Sequence, residues 1–221
     1  SFSGFVFGKM GAGKSTLLKQ LLEGLLGKDC FIRGFDKARD YYTIVQQQGG
    51  KIIDLSGAQG EAGVETGMIN PLEVFATKIT NTGAVDERGS FLQHLSKLTN
   101  MLRFLNVDVA ETIIQEFRKH LLEFYIKCKL IPEPGTNEPL KVTGLPPTRY
   151  PIMEEFLDHL NKVELEKGAT PQRYRDLETL KMQVYDMVHV YGDMFNGHTT
   201  LENFEDEQIV FFDIDGISKL D

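Results

Sequence analysis

The segment Gly8-Lys9-Met10-Gly11-Ala12-Gly13-Lys14-Ser15 constrains this chain more than any other part of it. It is a GxxxxGKS pattern, and its surroundings are as specific as its letters. Residues 2–7, FSGFVF, read as a short buried strand. The following KSTLLKQLLEGLL, from about Lys14 to Leu26, reads as a helix that Gly27 ends. A strand, a glycine loop and a helix in that order predict a parallel α/β sheet. Glycines let the loop turn its N–H groups inward around phosphate oxygens, and the helix adds the positive end of its dipole. The backbone of Gly8, Gly11, Ala12 and Gly13 then cradles phosphate. Lys14 reaches the β and γ phosphates, Ser15 holds Mg²⁺ through its hydroxyl, and Thr16 assists at the α phosphate.

Two more strand-like segments support the sheet. CFIRGF (30–35) is closed by Asp36, and KIIDLS (51–56) follows a continuous stretch, residues 37–48, that reads as helical and stops at Gly49-Gly50. Residues 56–68 read as an exposed loop. From about Gly89 to Lys129 the pattern becomes strongly helical. Leu92, Leu95, Leu98, Leu102 and Leu105 mark one apolar face, and Ile113, Ile114, Phe117, Leu121 and Phe124 mark another. Five prolines and two glycines in 130–149 read as a loop. Helices are expected at about 152–162 and 171–191, the second closed by Gly192, before a last strand, QIVFFDI. The chain therefore divides into 1–87, the first part of a nucleotide-binding core; 88–192, a helical insertion; and 193–221, a return to the core sheet.

Composition narrows the function classes. The 221 residues carry a net charge of -8, which disfavours wrapping nucleic acid around the outside of the domain. An apolar fraction of 41% supports an ordinary core. Two cysteines, Cys30 and Cys128, do not make a disulfide framework and suit a reducing compartment. No apolar run approaches the length of a membrane span.

Other residues read two ways. Asp36 either orders water or magnesium near the γ phosphate or caps the following helix. IVFFD at 209–213 is either a Walker B strand, with Asp213 reaching magnesium and Asp215 as a second acid, or a core strand with a polar end. The five histidines are scattered, and none pairs at metal spacing with a cysteine. The weakly basic Gln172-Arg173-Tyr174-Arg175 stretch and Lys181 read as a solvated face or as a contact to DNA or a neighbouring subunit. Arg88, Arg103, Arg118 and Arg149 are candidates for an arginine acting in a neighbour's site.

Four features in order resemble the ATPase domain of VirB4-type proteins, the TraC-like and TraE-like ATPases of type IV secretion and conjugation. They are the 8–15 loop; the strand ending at Asp36 with Asp40-Tyr41 and Gly49-Gly50 before Lys51-Ile52-Ile53; Ile69-Asn70-Pro71-Leu72; and Gly192-Asp193-Met194-Phe195-Asn196-Gly197 followed by Ile209 to Gly216. The resemblance spans residues 4–220. It implies a RecA-like P-loop NTPase fold with a mostly parallel sheet and an inserted helical subdomain, ATP and Mg²⁺ as ligands, and ATP hydrolysis that powers secretion. Lys14, Asp36 and Asp40 are then the catalytic candidates. It further implies self-association as a hexamer or dimer and work beside VirD4-like and VirB11-like ATPases and channel components. The expected place is the cytoplasm, peripheral to the inner face of the cell membrane. In the family the Walker B strand follows the segment matching 209–216, so it is expected beyond Asp221, and the chain reads as a piece of a longer ATPase domain. Alternatives are a DNA-translocating motor of the FtsK and HerA kind, with direct DNA contact, and a non-catalytic interaction module.

Overall fold

The structure, a computed structural model, describes residues 7, 9, 13–28, 30–55, 65–106, 108–201 and 207–214. The expected strand over 2–7 lies outside them, except for Phe7. Contacts divide the chain into two compact units, one drawn from Ser1–Met68 with Thr200–Asp221, the other Ile69–Thr199.

The first unit holds helix α1 (Lys14–Leu26), strand β1 (Ile32–Asp36), helix α2 (Tyr42–Gln47), strands β2 (Lys51–Asp54) and β3 (Glu65–Thr66), and strand β4 (Ile209–Asp213). The strands form one sheet in the order β1-β4-β2-β3, and every described pairing is parallel. Among the described residues, the last strand in sequence thus enters between the first two. Central parallel strands are covered on both faces and read as continuous apolar runs. Ile52 and Ile53 in β2, and Ile209 and Val210 in β4, are accordingly buried. Leu22 of α1 and Ile44 and Val45 of α2 pack with Ile52, Ile209 and Phe211 on one side. Gly50 lets β2 start there: a Cβ on it would lie 2.2 Å from Ile209 Cγ2 and 2.8 Å from the Ile209 carbonyl oxygen.

The expected helix over 37–48 is shorter in the structure, Tyr42–Gln47. Arg39 has a left-handed backbone (φ 57°), which an L-residue cannot hold inside an α-helix, so residues 37–41 form a turn instead.

The second unit is helical: α3 (Glu87–Leu105), α4 (Glu111–Lys127), α5 (Met153–Asn161), α6 (Pro171–His189) and the single turn α7 (Gly192–Phe195). It starts earlier and ends later than the 88–192 span read from helical periodicity. The reason is that non-helical flanks join its core: Leu72 and Val74 are buried in it, and Asn70 N–H donates to Thr199 Oγ1 at 3.0 Å. Asn70 itself is buried. Its Oδ1 accepts from Leu72 N–H at 3.0 Å and its Nδ2 donates to the Pro151 carbonyl at 2.9 Å. Asn196 Oδ1 accepts from Glu154 N–H at 3.0 Å at the start of α5. The INPL and GDMFNG segments are thus tied into the helical unit's own architecture.

The apolar stripe of α3 differs by one position from the leucine repeat. Phe91, His94, Leu95, Leu98 and Leu102 are buried, while Leu92 is 53% exposed. The spacing from Phe91 keeps the 3–4 residue period of one face, and Leu92 falls beside it. On α4 the buried side is Ile113, Ile114, Phe117, Leu121 and Phe124, joined by His120 and Tyr125. Phe117 and Phe124 meet Phe156 of α5 at 5.8 and 5.3 Å between centroids. Gly192, expected to close the fourth long helix, instead opens α7, and α6 ends at His189. Among the described residues no helix is long and apolar enough to cross a membrane.

Candidate functional site

Parallel α/β sheets bind ligands at the carboxyl ends of their strands. Here that edge carries three aspartates in register. Asp213 of β4 pairs with Asp36 of β1 on one side and with Asp54 of β2 on the other. Neighbouring strands lie about 4.8 Å apart, so the three form a row across the sheet end. All three are buried, at 3%, 4% and 1% exposure for Asp36, Asp54 and Asp213. Buried carboxylates need partners, and the turn after β1 provides them for two.

Asp36 organises that turn. Its Oδ1 accepts from the N–H groups of Ala38 (3.2 Å) and Asp40 (3.3 Å), and its Oδ2 from Tyr41 N–H (2.8 Å). The turn in turn serves Asp213. Arg39 Nε lies 3.0 Å from Asp213 Oδ2, and the Tyr42 hydroxyl donates to the same oxygen in a short hydrogen bond. Arg39 also stacks its guanidinium over the Tyr42 ring, 5.5 Å from its centroid. Burial, the hydrogen bond to Asp213 and that carboxylate's charge push the Tyr42 hydroxyl well above its ordinary pKa, against the opposing pull of Arg39. Burial, with the charges of Asp36 and Asp40, also raises that of Tyr41.

The turn's remaining acid faces α1. Ser15 Oγ donates to Asp40 Oδ2 at 3.3 Å. Gly13 precedes the helix with φ 79°, a left-handed conformation suited to glycine, and offers no side-chain cap to the first amides of α1. The first turn carries no acidic side chain either. Lys14 Nζ donates to the Lys9 carbonyl at 3.0 Å, and Thr16 is exposed. Gly8, Gly11 and Ala12 of the sequence pattern, and Asp215, lie outside the described residues.

The structure therefore joins Ser15, Asp36, Asp40 and Asp213 through one turn. Asp54, Arg39 and Tyr42 were missed by sequence reasoning. Asp54 had a signal: it closes an apolar strand just as Asp36 and Asp213 do. Arg39 and Tyr42 had none, because only the pairing of β1 with β4 brings Asp213 to them. Of the four arginines considered for a trans-acting role, Arg103 is held by Glu111 at 2.6 Å.

No protein-family model matches the chain. It is 75% identical over 221 residues to an uncharacterized protein of Bacillus anthracis, of whose length it spans 34%. Its structure superposes on VirB4 of Thermoanaerobacter pseudethanolicus with a TM-score of 0.72 and 20% sequence identity, covering 96% of this chain and 49% of that one. The chain thus spans about a third of the curated relative and about half of the VirB4 chain. Its fold, with a small parallel sheet and a helical unit, is structurally related to that of VirB4.

Proposed function

We propose that this chain is the nucleotide-binding part of a VirB4-type P-loop ATPase that energises type IV secretion or conjugative transfer. One observation carries the reading. Within the Gly8–Ser15 sequence pattern, left-handed Gly13 leads into α1, whose first turn has no side-chain cap and meets an acidic turn through the Ser15–Asp40 hydrogen bond. Uncapped amides at a helix start favour anions. The relation of the fold to VirB4 supports the assignment.

The residues suit ATP and Mg²⁺ by their donor chemistry. Loop and α1 amides, with the Lys14 ammonium, hold phosphate oxygens; Lys14 exchanges its present acceptor, the Lys9 carbonyl, for one of them. The Ser15 hydroxyl and Asp40 carboxylate offer hard oxygen donors to magnesium. A magnesium ion held by these two oxygens would supply charge neutralisation to a bound nucleotide's phosphates. Lys14 and the amides stabilise charge on the transferred phosphoryl group. Asp36 acts as a positioning residue, since its carboxylate fixes the backbone that presents Asp40. Asp213 anchors Arg39 and Tyr42 beneath the same turn. The attacking water takes its base from elsewhere in the longer protein. Self-association, partner ATPases, channel components and a place at the cytoplasmic face of the membrane belong to this same proposal.

The test is ATP binding with and without Mg²⁺, measured by calorimetry on the wild type and on Lys14→Ala. Loss of a charge-assisted contact to phosphate costs about 1.5–3 kcal/mol, so affinity should fall roughly 10- to 100-fold. Ser15→Ala should reduce the gain in affinity that Mg²⁺ brings. Equal ATP affinity in wild type and Lys14→Ala would sink the assignment.

A further inference from the structure

The helical unit contains a cluster the proposed nucleotide chemistry does not use. His120 and Glu123 stand one turn apart on α4, and His159 stands on α5. One donor atom from each lies within 4.8 Å of the other two. The two imidazole rings meet edge to face at 6.4 Å between centroids, beside the rings of Phe124 and Phe156. His120 is 2% exposed.

Both nitrogens of His120 face carboxylates. Nδ1 lies 3.0 Å from Glu123 Oε2, and Nε2 lies 3.2 Å from Glu116 Oε2. The second approach is close but poorly aligned, so Nε2 and Glu116 Oε2 have no hydrogen-bond partner among the described residues; neither has the buried His159 Nε2. Arg173 holds the other oxygen of Glu116 at 2.6 Å and so orients that carboxylate. Glu123 is half exposed, which opens the cluster to solvent. A protonated His120 between two glutamates would explain that residue alone. It leaves the buried Nε2 of His159 unpaired. A shared cation pairs both rings and the carboxylate at once.

We propose that His120, His159 and Glu123 form a binding site for a divalent transition cation of the zinc class, which ties α4 to α5, with Glu116 as the adjacent carboxylate. Two imidazoles and a carboxylate are borderline donors that suit zinc rather than calcium or magnesium. Donors around tetrahedral zinc lie roughly 3.4 Å apart, so small side-chain rotations close the set. Whichever nitrogen of His120 takes the ion, the other stays against a glutamate. That contact holds the ring in place beside the ion.

The test uses the 221-residue chain stripped with a chelator, then titrated with zinc chloride by calorimetry and with cobalt chloride by visible absorption. One zinc per chain should bind at roughly micromolar affinity or tighter and raise the thermal midpoint. Cobalt should give the intense bands of a low-coordinate site. His159→Gln and Glu123→Gln should each weaken zinc binding by about ten-fold or more and remove the cobalt bands. His189→Gln, at an exposed histidine on α6, should bind like wild type. Because both variants carrying the decision replace side chains that are not fully buried, circular dichroism can verify their folding before titration. Absence of stoichiometric zinc binding overturns the proposal. So does binding unchanged in His159→Gln and Glu123→Gln, or a loss of the same size in His189→Gln.

Discussion

Acidification should unfold the helical unit through His94. This residue on α3 is 7% exposed, with Phe91 beside it and Tyr125 of α4 against its edge. The Tyr125 hydroxyl donates to the Leu72 carbonyl at 2.8 Å, so at its 2.8 Å contact with His94 it accepts, and His94 Nε2 carries the proton. Burial first, and the Lys97 charge second, lower the His94 pKa from 6.5 to about 4. Glu73 and Lys97 share the cavity that His94 lines. Between pH 6.5 and about 4 the unfolded chain binds a proton here that the folded chain refuses. Stability from this group is therefore complete above pH 6.5 and is lost as pH falls toward 4. At about 1.4 kcal/mol per pH unit the loss amounts to about 3 kcal/mol. Other carboxylates also respond to acid, so the comparison must be with His94→Gln, which keeps an N–H donor and does not titrate. The sequence has no tryptophan, so urea unfolding is best followed by far-ultraviolet circular dichroism at pH 7, 6, 5 and 4. The variant starts less stable than wild type at pH 7 and gains on it by about 3 kcal/mol by pH 4. A stability gap that stays constant across that range would refute the reasoning.

Asp36→Ala should cost about 2–4 kcal/mol of stability in the sheet unit, because three backbone amides lose a charged acceptor. Asp36→Asn should fall between it and wild type in urea midpoint; equal stability of all three would show that the turn holds itself. Glu87 accepts from the amides of Val142 and Thr143 at 3.0 and 2.9 Å and from the Thr143 hydroxyl at 3.0 Å. Glu87→Ala should therefore release the 130–149 loop, cost about 2 kcal/mol, and speed amide exchange at Val142 and Thr143 above that of wild type. Phe156, fully buried against Phe117 and Phe124, should cost about 3–5 kcal/mol on truncation to Ala, read from thermal unfolding of the helical unit.

Local chemistry made much of the fold legible. Helix α1 runs Lys14–Leu26 as its periodicity and closing glycine predict. Strands β1, β2 and β4 lie where apolar runs end in aspartate. The inner face of α4 follows its 3–4 residue spacing. Each of these depends on neighbours a few residues away, which a single chain displays directly. The errors have local causes too. A turn replaced the first part of the expected 37–48 helix because Asp36 satisfies its amides and Arg39 leaves the right-handed region. Leu92 looked like core because a leucine repeat also has helical period; Phe91 occupies that face instead.

The amino-acid sequence by itself determined the elements: an α/β chain, a helix starting at Lys14, and long amphipathic helices between two stretches of strand. Tertiary structure alone decided the juxtapositions. Inserting β4 between β1 and β2 aligns Asp36, Asp213 and Asp54 and brings Arg39 and Tyr42 to Asp213. Packing α5 on α4 brings His159 to His120, a pair that no ligand spacing along the chain announces. The physical reason is common to both cases. Periodicity and capping are short-range, whereas strand order and helix contacts are set by which apolar faces bury each other, and polar side chains at the ends of those faces meet as a consequence.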